Sequence, residues 1–383
     1  MKLDRKTFEQ QRSLRFGRTN PERMRLAFWE AMVQDGNGPY RLRERFEAHA
    51  VTYIQFMNPS KTRVLFQFRK PSEVLVGLGK ALVALVKGNN RCRISAGGPI
   101  WNFDRMGQTR TKLVDGRTIC VGGEHEDHYD PDFAIYNDVV VLHPDDQVEI
   151  YGYPKAVFPP TDFHTASLIG DRIIIIGGLG YLDARRPGFT PVQSLDLSTY
   201  RIEPIAATGS SPGWIFKHEA EIDPSGESIT IRGGEIEFEK AGVRVHRQNI
   251  EEYRLHLADG RWEQITDRRD WRQFEIKRKA FGMLFDLPDL SNFRCGDGNL
   301  PRIWFDDEVF QPKSVPHDPI LIEDLNLFAL EVDQVTIRAE VDAFMVRLIV
   351  EGKLPEQTVN RAIEEIFENI ETAIGAPCQI EEL

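Results

Sequence analysis

Residues 161–178 read TDFHTASLIGDRIIIIGG. A polar start, a Gly-Asp turn and an apolar run that ends on two glycines predict two antiparallel β-strands. Two further doublets, Gly122-Gly123 and Gly233-Gly234, also follow short apolar strands, and the three doublets are spaced 55 and 56 residues apart. This regular spacing indicates an internal repeat of about 55 residues.

The repeat extends beyond its glycines. Histidine recurs before the second and third doublets, at His164 and His218, and an apolar residue followed by Glu recurs after all three, at Val148-Glu149, Ile202-Glu203 and Trp262-Glu263. Four short strands with turns between them predict an antiparallel meander in each repeat. Glycine at the doublets permits the backbones of neighbouring sheets to approach closely.

These repeats resemble the kelch family, the galactose oxidase-type β-propellers, and the chain resembles bacterial kelch-motif proteins. Residues 161–178 look like the start of a kelch blade, and residues 136–142, YNDVVVL, resemble its third strand. The resemblance implies a mainly β fold, a kelch-like β-propeller with at least three recognisable four-stranded blades. Because propellers normally have about four to eight blades, flanking sequence is expected to complete the ring. The candidate segments are residues 63–68, 100–103, 271–285 and 302–310.

We expect a helical N-terminal segment over residues 1–50, a kelch-like β-propeller over 51–318 with the clear repeats at 106–266, and a small C-terminal α/β domain over 319–383. The N-terminal segment is predicted to contain helices over residues 22–33, after Asn20-Pro21, and 40–49. Residues 51–57 and 63–68 predict a hairpin, and residues 74–86 a buried helix. The C-terminal domain is predicted to contain strands at 325–332, 335–341 and 344–350, a helix from Pro355 to Gly375 and a final strand at 378–383.

Composition excludes several classes of protein. The net charge is −11, and residues 1–50 carry +4 of it, so the remainder holds −15 and repels nucleic acid. The longest apolar stretch is shorter than the roughly 20 residues of a membrane-spanning helix, and no secretory signal is evident. The four cysteines include no CxxC pair, which disfavours a disulfide framework or a zinc knuckle. We therefore expect a cytoplasmic bacterial protein that binds neither membrane nor nucleic acid.

In a meander of this kind, the connection between strands two and three lies on the same face as the connection between sheets. These connections are long in every repeat, at residues 124–134, 179–191 and 235–246, whereas the turns on the opposite face are tight. Consistently long connections on one face indicate function there. Candidate binding residues on this face are Tyr181, Arg185, Arg186, Trp214, His164, His218, Glu124 and Asp130.

For each of these residues, a purely structural role is the alternative to a role in binding. The two arginines suit carboxylate recognition, but they also suit a salt bridge to the acidic first connection. Trp214 is either a packing residue or an exposed anchor. His164 and His218 occupy equivalent positions, where hydrogen bonds between neighbouring sheets would explain them.

The first connection concentrates imidazole and carboxylate groups. His125, His128 and Asp127 are the candidate ligands of a divalent metal, because neutral imidazole and carboxylate suit zinc, iron or manganese. A solvated acidic loop is the alternative, and no other cofactor is expected. No nucleophile elbow, Walker loop or Rossmann fingerprint is present.

The function predicted first is a non-catalytic module that binds a protein or peptide through the long connections, as an inhibitory or immunity-type partner would. The C-terminal domain would add a second contact or an oligomer interface. The alternative is a metal-dependent enzyme that uses the His/Asp/Glu-rich residues 124–132.

Overall fold

Antiparallel sheets dominate the chain in a computed structural model that describes residues 4–35, 52–57, 63–68, 99–125, 133–280, 284, 307–320, 322, 326–342 and 344–383. The fold is mainly β, which confirms the predicted class at that level. Two units are distinguished, Met1–Thr266 and Asp267–Leu383.

The helices of the first unit are α1 (Arg5–Gln11) and α2 (Ala27–Asp35). Its strands are β1 (Glu22–Arg23), β2 (Thr52–Met57), β3 (Arg63–Phe68), β4 (Thr109–Lys112), β5 (Thr118–Val121), β6 (Glu124–His125), β7 (Ala134–Ile135), β8 (Val139–Leu142), β9 (Val148–Gly152), β10 (Thr165–Ile169), β11 (Arg172–Ile176), β12 (Val192–Asp196), β13 (Ile202–Pro204), β14 (Thr208–Gly209), β15 (Trp214–Phe216), β16 (Glu219–Ile222), β17 (Ser228–Arg232), β18 (Glu235–Lys240), β19 (Val243–Gln248), β20 (Tyr253–His256) and β21 (Arg261–Gln264).

Three antiparallel meanders follow one another along the first unit. Strands β4, β5, β8 and β9 form the first sheet, β10 to β13 the second, and β16, β17, β20 and β21 the third. The hairpin β6–β7 is inserted between strands two and three of the first sheet, and β18–β19 at the same point of the third, where β15 pairs with β18. Each repeat therefore contains the predicted four-stranded meander.

The second sheet packs against both of its neighbours, as strand β11 shows most clearly. Ile173 and Ile175 belong to a core shared with the first sheet, whereas Ile174 and Ile176 belong to a core shared with the third. All four are buried. Because successive side chains of a strand point to opposite faces, an uninterrupted apolar strand is what a sheet covered on both faces requires.

Successive sheets also meet at their first strands, since β10 neighbours both β4 and β16. Gly178 N–H donates to the Ile215 carbonyl over 2.9 Å, as Gly123 N–H donates to the Thr161 carbonyl over 2.8 Å one repeat earlier. A Cβ atom on Gly177 would lie 2.4 Å from the Ile215 carbonyl oxygen. Close approach of backbone from the following sheet thus explains Gly122 and Gly177, the first glycines of the first two doublets, whereas an added Cβ at Gly233 would meet no atom within 4 Å.

The outer faces of the first and third sheets differ. The first sheet is covered by α1, α2 and Trp101, whose ring stacks 4.7 Å from that of Trp29. The third sheet turns polar side chains outward, including Thr230, Arg254 and Glu263, because their neighbours in each strand face the core. The described residues form no closed ring of sheets.

The second helix of the N-terminal segment begins later than predicted. Helix α2 begins at Ala27, so the predicted start at Glu22 is wrong: Glu22 and Arg23 form β1 and pair with β9 at the outer edge of the first sheet. The predicted hairpin is confirmed, because β2 and β3 pair antiparallel. The predicted helices over 40–49 and 74–86 lie outside the described residues.

The second unit is a six-stranded antiparallel sheet with a long helix packed against it. The sheet order is β23-β24-β25-β26-β22-β27. Its elements are β22 (Arg272–Arg278), a 3-10 turn (Asp307–Phe310), β23 (Asp318–Ile320), β24 (Leu327–Val332), β25 (Val335–Val341), β26 (Met345–Val350), α3 (Glu356–Ile374) and β27 (Cys378–Glu382).

Most of the elements predicted here are confirmed. Strands β24 to β27 coincide with the predicted strands, and α3 begins after Pro355 and ends at Gly375, which adopts the left-handed conformation with φ 67°. Residues 272–278, part of the segment 271–285 that was expected to help complete the propeller ring, pair with β26 and β27. Within the described residues, no helix is long and apolar enough to span a bilayer.

Candidate functional site

The three long connections of the first unit have different structures. The first contains β6 and β7, and the third is the hairpin β18–β19, so two of the predicted loops contain paired strands. The second, over residues 177–191, has no strand. The opposite turns are short, as at Gly170 between β10 and β11. The candidate face is therefore built from two hairpins and one irregular connection.

The second connection is fastened to its neighbours by buried hydrogen bonds. Ile135 N–H of β7 donates to the Tyr181 hydroxyl at 2.8 Å, and Gly180 N–H donates to Oδ1 of Asp162 at 2.7 Å. Burial raises the pKa of Tyr181, so the phenol is neutral at physiological pH. Tyr181, a predicted binding residue, thus acts as an acceptor that joins the first and second connections.

Arg185 joins the second connection to the third. Its Nη1 lies 2.8 Å from Oε2 of Glu237 on β18, and its Nε and Nη2 donate to the Gly180 carbonyl. Glu237 is 1% exposed and also lies 3.0 Å from Nε2 of His246. Burial alone would raise the pKa of Glu237, but the hydrogen bonds and charges of Arg185 and His246 outweigh it and lower the pKa. Arg185 is therefore paired with the third connection, whereas the predicted alternative placed its partner in the first.

Trp214 is buried against the second connection. The residue is 7% exposed, and its Nε1–H donates to the Leu179 carbonyl at 3.0 Å. It lines, with Phe158, Thr161 and Gly178, a cavity of about 40 Å³. A cavity of that size accommodates ordered water but not a metabolite, for which pockets of about 300–1,000 Å³ are usual.

His164 and His218 link neighbouring sheets. Nε2 of His164 lies 2.9 Å from the Thr109 hydroxyl of the first sheet, and Nε2 of His218 lies 2.9 Å from the Thr165 hydroxyl of the second. Burial lowers the pKa of His164 to about 3 and that of His218 to about 4. Both rings are therefore neutral at pH 7. They link neighbouring sheets by hydrogen bonds, as the structural alternative predicted.

The acidic part of the face centres on Glu124 and Asp162. Asp162 is fully buried, its Oδ1 accepts the Gly180 N–H, and its Oδ2 has no hydrogen-bond partner among the described residues, with Glu124 as a neighbouring acidic group. Burial is the largest influence on the Asp162 carboxyl group and raises its pKa. Asp162 was not among the predicted site residues, because a single Asp in a connection has no distinctive sequence signal.

The predicted metal ligands are only partly described. His125 is 7% exposed, with Nδ1 lying 3.1 Å from the Asp104 carbonyl oxygen. Asp127, His128 and the predicted binding residue Asp130 lie outside the described residues. The described residues alone contain no group of three candidate ligands. The metal site therefore stays a prediction.

The second connection also carries side chains that are exposed to solvent. Leu182 is 60% exposed and Phe189 is 45% exposed, and Arg186 between them is exposed with its guanidinium 5.4 Å from the centre of the Phe189 ring. Nη1 of Arg244 donates to the Leu182 carbonyl at 2.7 Å, which holds the backbone of the connection against β19. Arg186 was predicted as a binding residue, but Leu182 and Phe189 were missed. Their sequence signal is weak, two apolar residues in a connection rich in Gly, Pro and Arg.

No protein-family model matches this chain, and no curated protein matches it. Functional inference therefore rests on the geometry of the described residues. Polar contacts fasten the second connection to Ile135, Asp162 and Glu237, and this connection displays an apolar and cationic surface. Immobilised side chains lose less entropy on association, so such a surface suits binding of a macromolecule.

Proposed function

We propose that the chain is a kelch-like binding protein whose first unit presents its long connections to a protein or peptide. The contacts that recur between sheets support the kelch-like part. The His164–Thr109 contact is repeated one sheet later as His218–Thr165, and the glycine hydrogen bonds recur in the same way. A series of equivalent sheets holds its connections on one side in fixed positions.

Leu182, Arg186 and Phe189, which we call the rim patch, carry the binding part of the proposal. Full burial of a Leu or Phe side chain contributes about 1.5–3 kcal/mol, and roughly half of that remains for a partner where half of the side chain is exposed. Arg adds directional hydrogen bonds and stacking on aromatic rings, which explains its frequency in binding hot spots. Arg185 differs from its neighbour, because its charge is already paired with Glu237.

Affinity capture with two matched triple variants tests the proposal. L182A/R186A/F189A removes the rim patch, and V114A/R172A/I222A removes two apolar side chains and one Arg from the turns on the opposite face. All six side chains are exposed or lie at the edge of exposure, so both variants are expected to fold. Their far-ultraviolet circular dichroism and thermal midpoints check this.

We expect proteins captured from the source cell extract by the unchanged chain to be captured by V114A/R172A/I222A and lost with L182A/R186A/F189A. Identification by mass spectrometry and reconstitution with the purified partner complete the test. Retention of the captured proteins by the rim variant would refute the proposal.

A metal-dependent enzyme is the second candidate. The neighbouring carboxyl groups of Glu124 and Asp162 favour it, because hard divalent cations bind carboxylate pairs readily. His125 follows Glu124 directly and is buried beside it.

A further inference from the structure

The outer edges of the three main sheets are all covered by other parts of the chain. Strand β1 pairs with β9, and β14 pairs with β21. At β13, the Asn20 side chain takes the place of a strand: its Nδ2 donates to the Ile202 carbonyl at 2.7 Å and its Oδ1 accepts the Ile202 N–H at 3.0 Å. Covered edges are expected, because an open edge presents unpaired backbone groups that recruit other chains.

The edge at β19 is different. This strand ends the sheet β15-β18-β19, and it pairs with β18 over six consecutive residues without a bulge or a proline. Among the described residues no strand lies on its other side. Val243 at the start of the strand is 61% exposed.

The hairpin turn determines which backbone groups of β19 point outward. Ala241 and Gly242 both have positive φ, 51° and 79°, as a two-residue type I′ turn requires. Lys240 and Val243 therefore form the hydrogen-bonded pair that closes the turn, and hydrogen-bonded pairs alternate along an antiparallel ladder. The N–H and C=O groups that face away from β18 are consequently those of alternate residues, beginning with Arg244 and His246.

The side chains of β19 define what fits beside it. Arg244 and His246 lie on one face of the hairpin, and Val243, Val245 and Arg247 lie on the other, because the side chains of a strand alternate. The strand carries no carboxylate. Arg247 stands 5.1 Å from the ring of Phe238, and no described carboxylate forms an ion pair with it. Arg244 and His246 share the buried Glu237 with Arg185, so a single carboxylate faces two guanidinium groups and an imidazole, and Arg247 adds a further cation. The edge thus combines an excess of cationic groups with an apolar strip in a chain of net charge −11.

We propose that β19 accepts an extended acidic segment of a protein partner as an additional strand. Backbone hydrogen bonds to Arg244 and His246 provide the pairing, acidic side chains lie beside those residues, and apolar side chains lie beside Val243 and Val245. A second copy of the chain is a poorer occupant, because two β19 edges would bring like charges together. This inference rests on the proposed function and names the chemistry of the partner.

The test uses a synthetic peptide, acetyl-Thr-Glu-Val-Glu-Val-Glu-Thr-amide, labelled with fluorescein, and its counterpart with Lys in place of Glu. Fluorescence anisotropy is expected to show saturable binding of the acidic peptide to the full chain and none of the Lys peptide. The variant R244E/R247E is expected to bind at least about tenfold more weakly, since two attractions become repulsions. The control R172E/R261E changes the net charge equally at exposed positions outside β19, and its affinity is expected to stay within about twofold.

Hydrogen–deuterium exchange separates strand addition from general electrostatic attraction. With the acidic peptide bound, the amides of Arg244 and His246 are expected to exchange at least about tenfold more slowly, while those of Val243 and Val245, already bonded to β18, keep their rates.

Equal binding of the two peptides, equal losses in the two double variants, or unchanged exchange at Arg244 and His246 would each overturn the inference. If the rim variant loses its partners while R244E/R247E keeps them, the inference fails and the proposed function stands. If the rim variant keeps its partners, the proposed function itself fails.

Discussion

Replacement of Gly177 by Ala tests the packing of the repeats directly. Gly177 has φ 69° and faces the next sheet, where an added Cβ would lie 2.4 Å from the carbonyl oxygen of Ile215 and 2.8 Å from Cε1 of His218. Gly170 has nearly the same backbone conformation, φ 58°, but an added Cβ meets no atom within 4 Å. The two substitutions therefore share a backbone cost and differ in the contact between sheets.

The expected destabilisation follows from these two terms. A non-glycine residue in the left-handed region costs about 1–2 kcal/mol, and both G170A and G177A incur it. At Gly177 the sheets must also separate by about 1 Å to restore ordinary van der Waals contact, and overpacking of this kind costs about 1–3 kcal/mol more. We therefore expect G177A to unfold at a lower urea concentration than G170A, with a difference of about 1–3 kcal/mol in the free energy of unfolding.

Urea denaturation followed by tryptophan fluorescence provides the measurement. Four of the six tryptophans, Trp29, Trp101, Trp214 and Trp262, lie in the first unit and are buried, so most of the change in emission reports its unfolding. The chain contains two units, and the first-unit transition is to be fitted separately rather than as one two-state step. Equal destabilisation by G170A and G177A would refute the close approach of neighbouring sheets.

Two further predictions concern histidines. Burial holds the pKa of His164 at about 3 and that of His218 at about 4, whereas both are 6.5 in the unfolded chain. The unfolded chain therefore binds more protons than the folded chain as the pH falls below 6.5. Between pH 6.5 and 4, each ring lowers the free energy of unfolding by up to about 1.4 kcal/mol per pH unit. We expect H164Q/H218Q to flatten this part of the stability–pH curve measured by urea denaturation, and an unchanged slope would contradict the assignment. For the second candidate function, inductively coupled plasma mass spectrometry is expected to find stoichiometric metal that is lost in H125A/H128A, and a metal-free parent protein would remove that candidate's main support.

The repeat was predictable from the sequence because its cause is local and repeated. The backbone of the next sheet approaches Gly122 and Gly177 equally closely, since an added Cβ on either would lie 2.4 Å from a carbonyl oxygen. The same spacing places His164 and His218 in equivalent contacts. The helix α3 was predictable for a similar reason. Its buried residues follow helical spacing, and Gly375 supplies the left-handed residue that ends it.

The start of α2 was not predictable from the same signals. Asn20-Pro21 has the composition of a helix start, yet the Asn20 amide hydrogen-bonds Ile202 at the edge of the second sheet, and the next residues pair with β9. These partners lie more than a hundred residues away in the chain. Tertiary pairing therefore overrides a local capping signal, because it satisfies backbone groups of the sheet edges that would otherwise stay open.

The candidate site was predictable as a face but not as a set of residues. Arg185 and Arg186 are adjacent and chemically identical, and only the path of the backbone decides that Arg185 reaches Glu237 while Arg186 points to solvent. The partner of Arg185 lies in a connection that the sequence describes as a loop and the structure describes as the strand β18. Long-range partners of this kind have no signature in a single sequence.

The second and third sheets differ in how many of their faces are apolar, and their equivalent strands show it. Strand β11 reads RIIII and is buried on both faces, whereas its counterpart β17 reads SITIR, with Ile229 and Ile231 buried and Thr230 and Arg232 on the opposite face. In a closed ring each sheet packs against two neighbours, so every sheet requires two apolar faces. The alternation in β17 is the pattern of a sheet with one apolar face. The sequence of β17 therefore predicts that one of its faces is polar, and in the described residues Thr230 and Arg232 lie on that face.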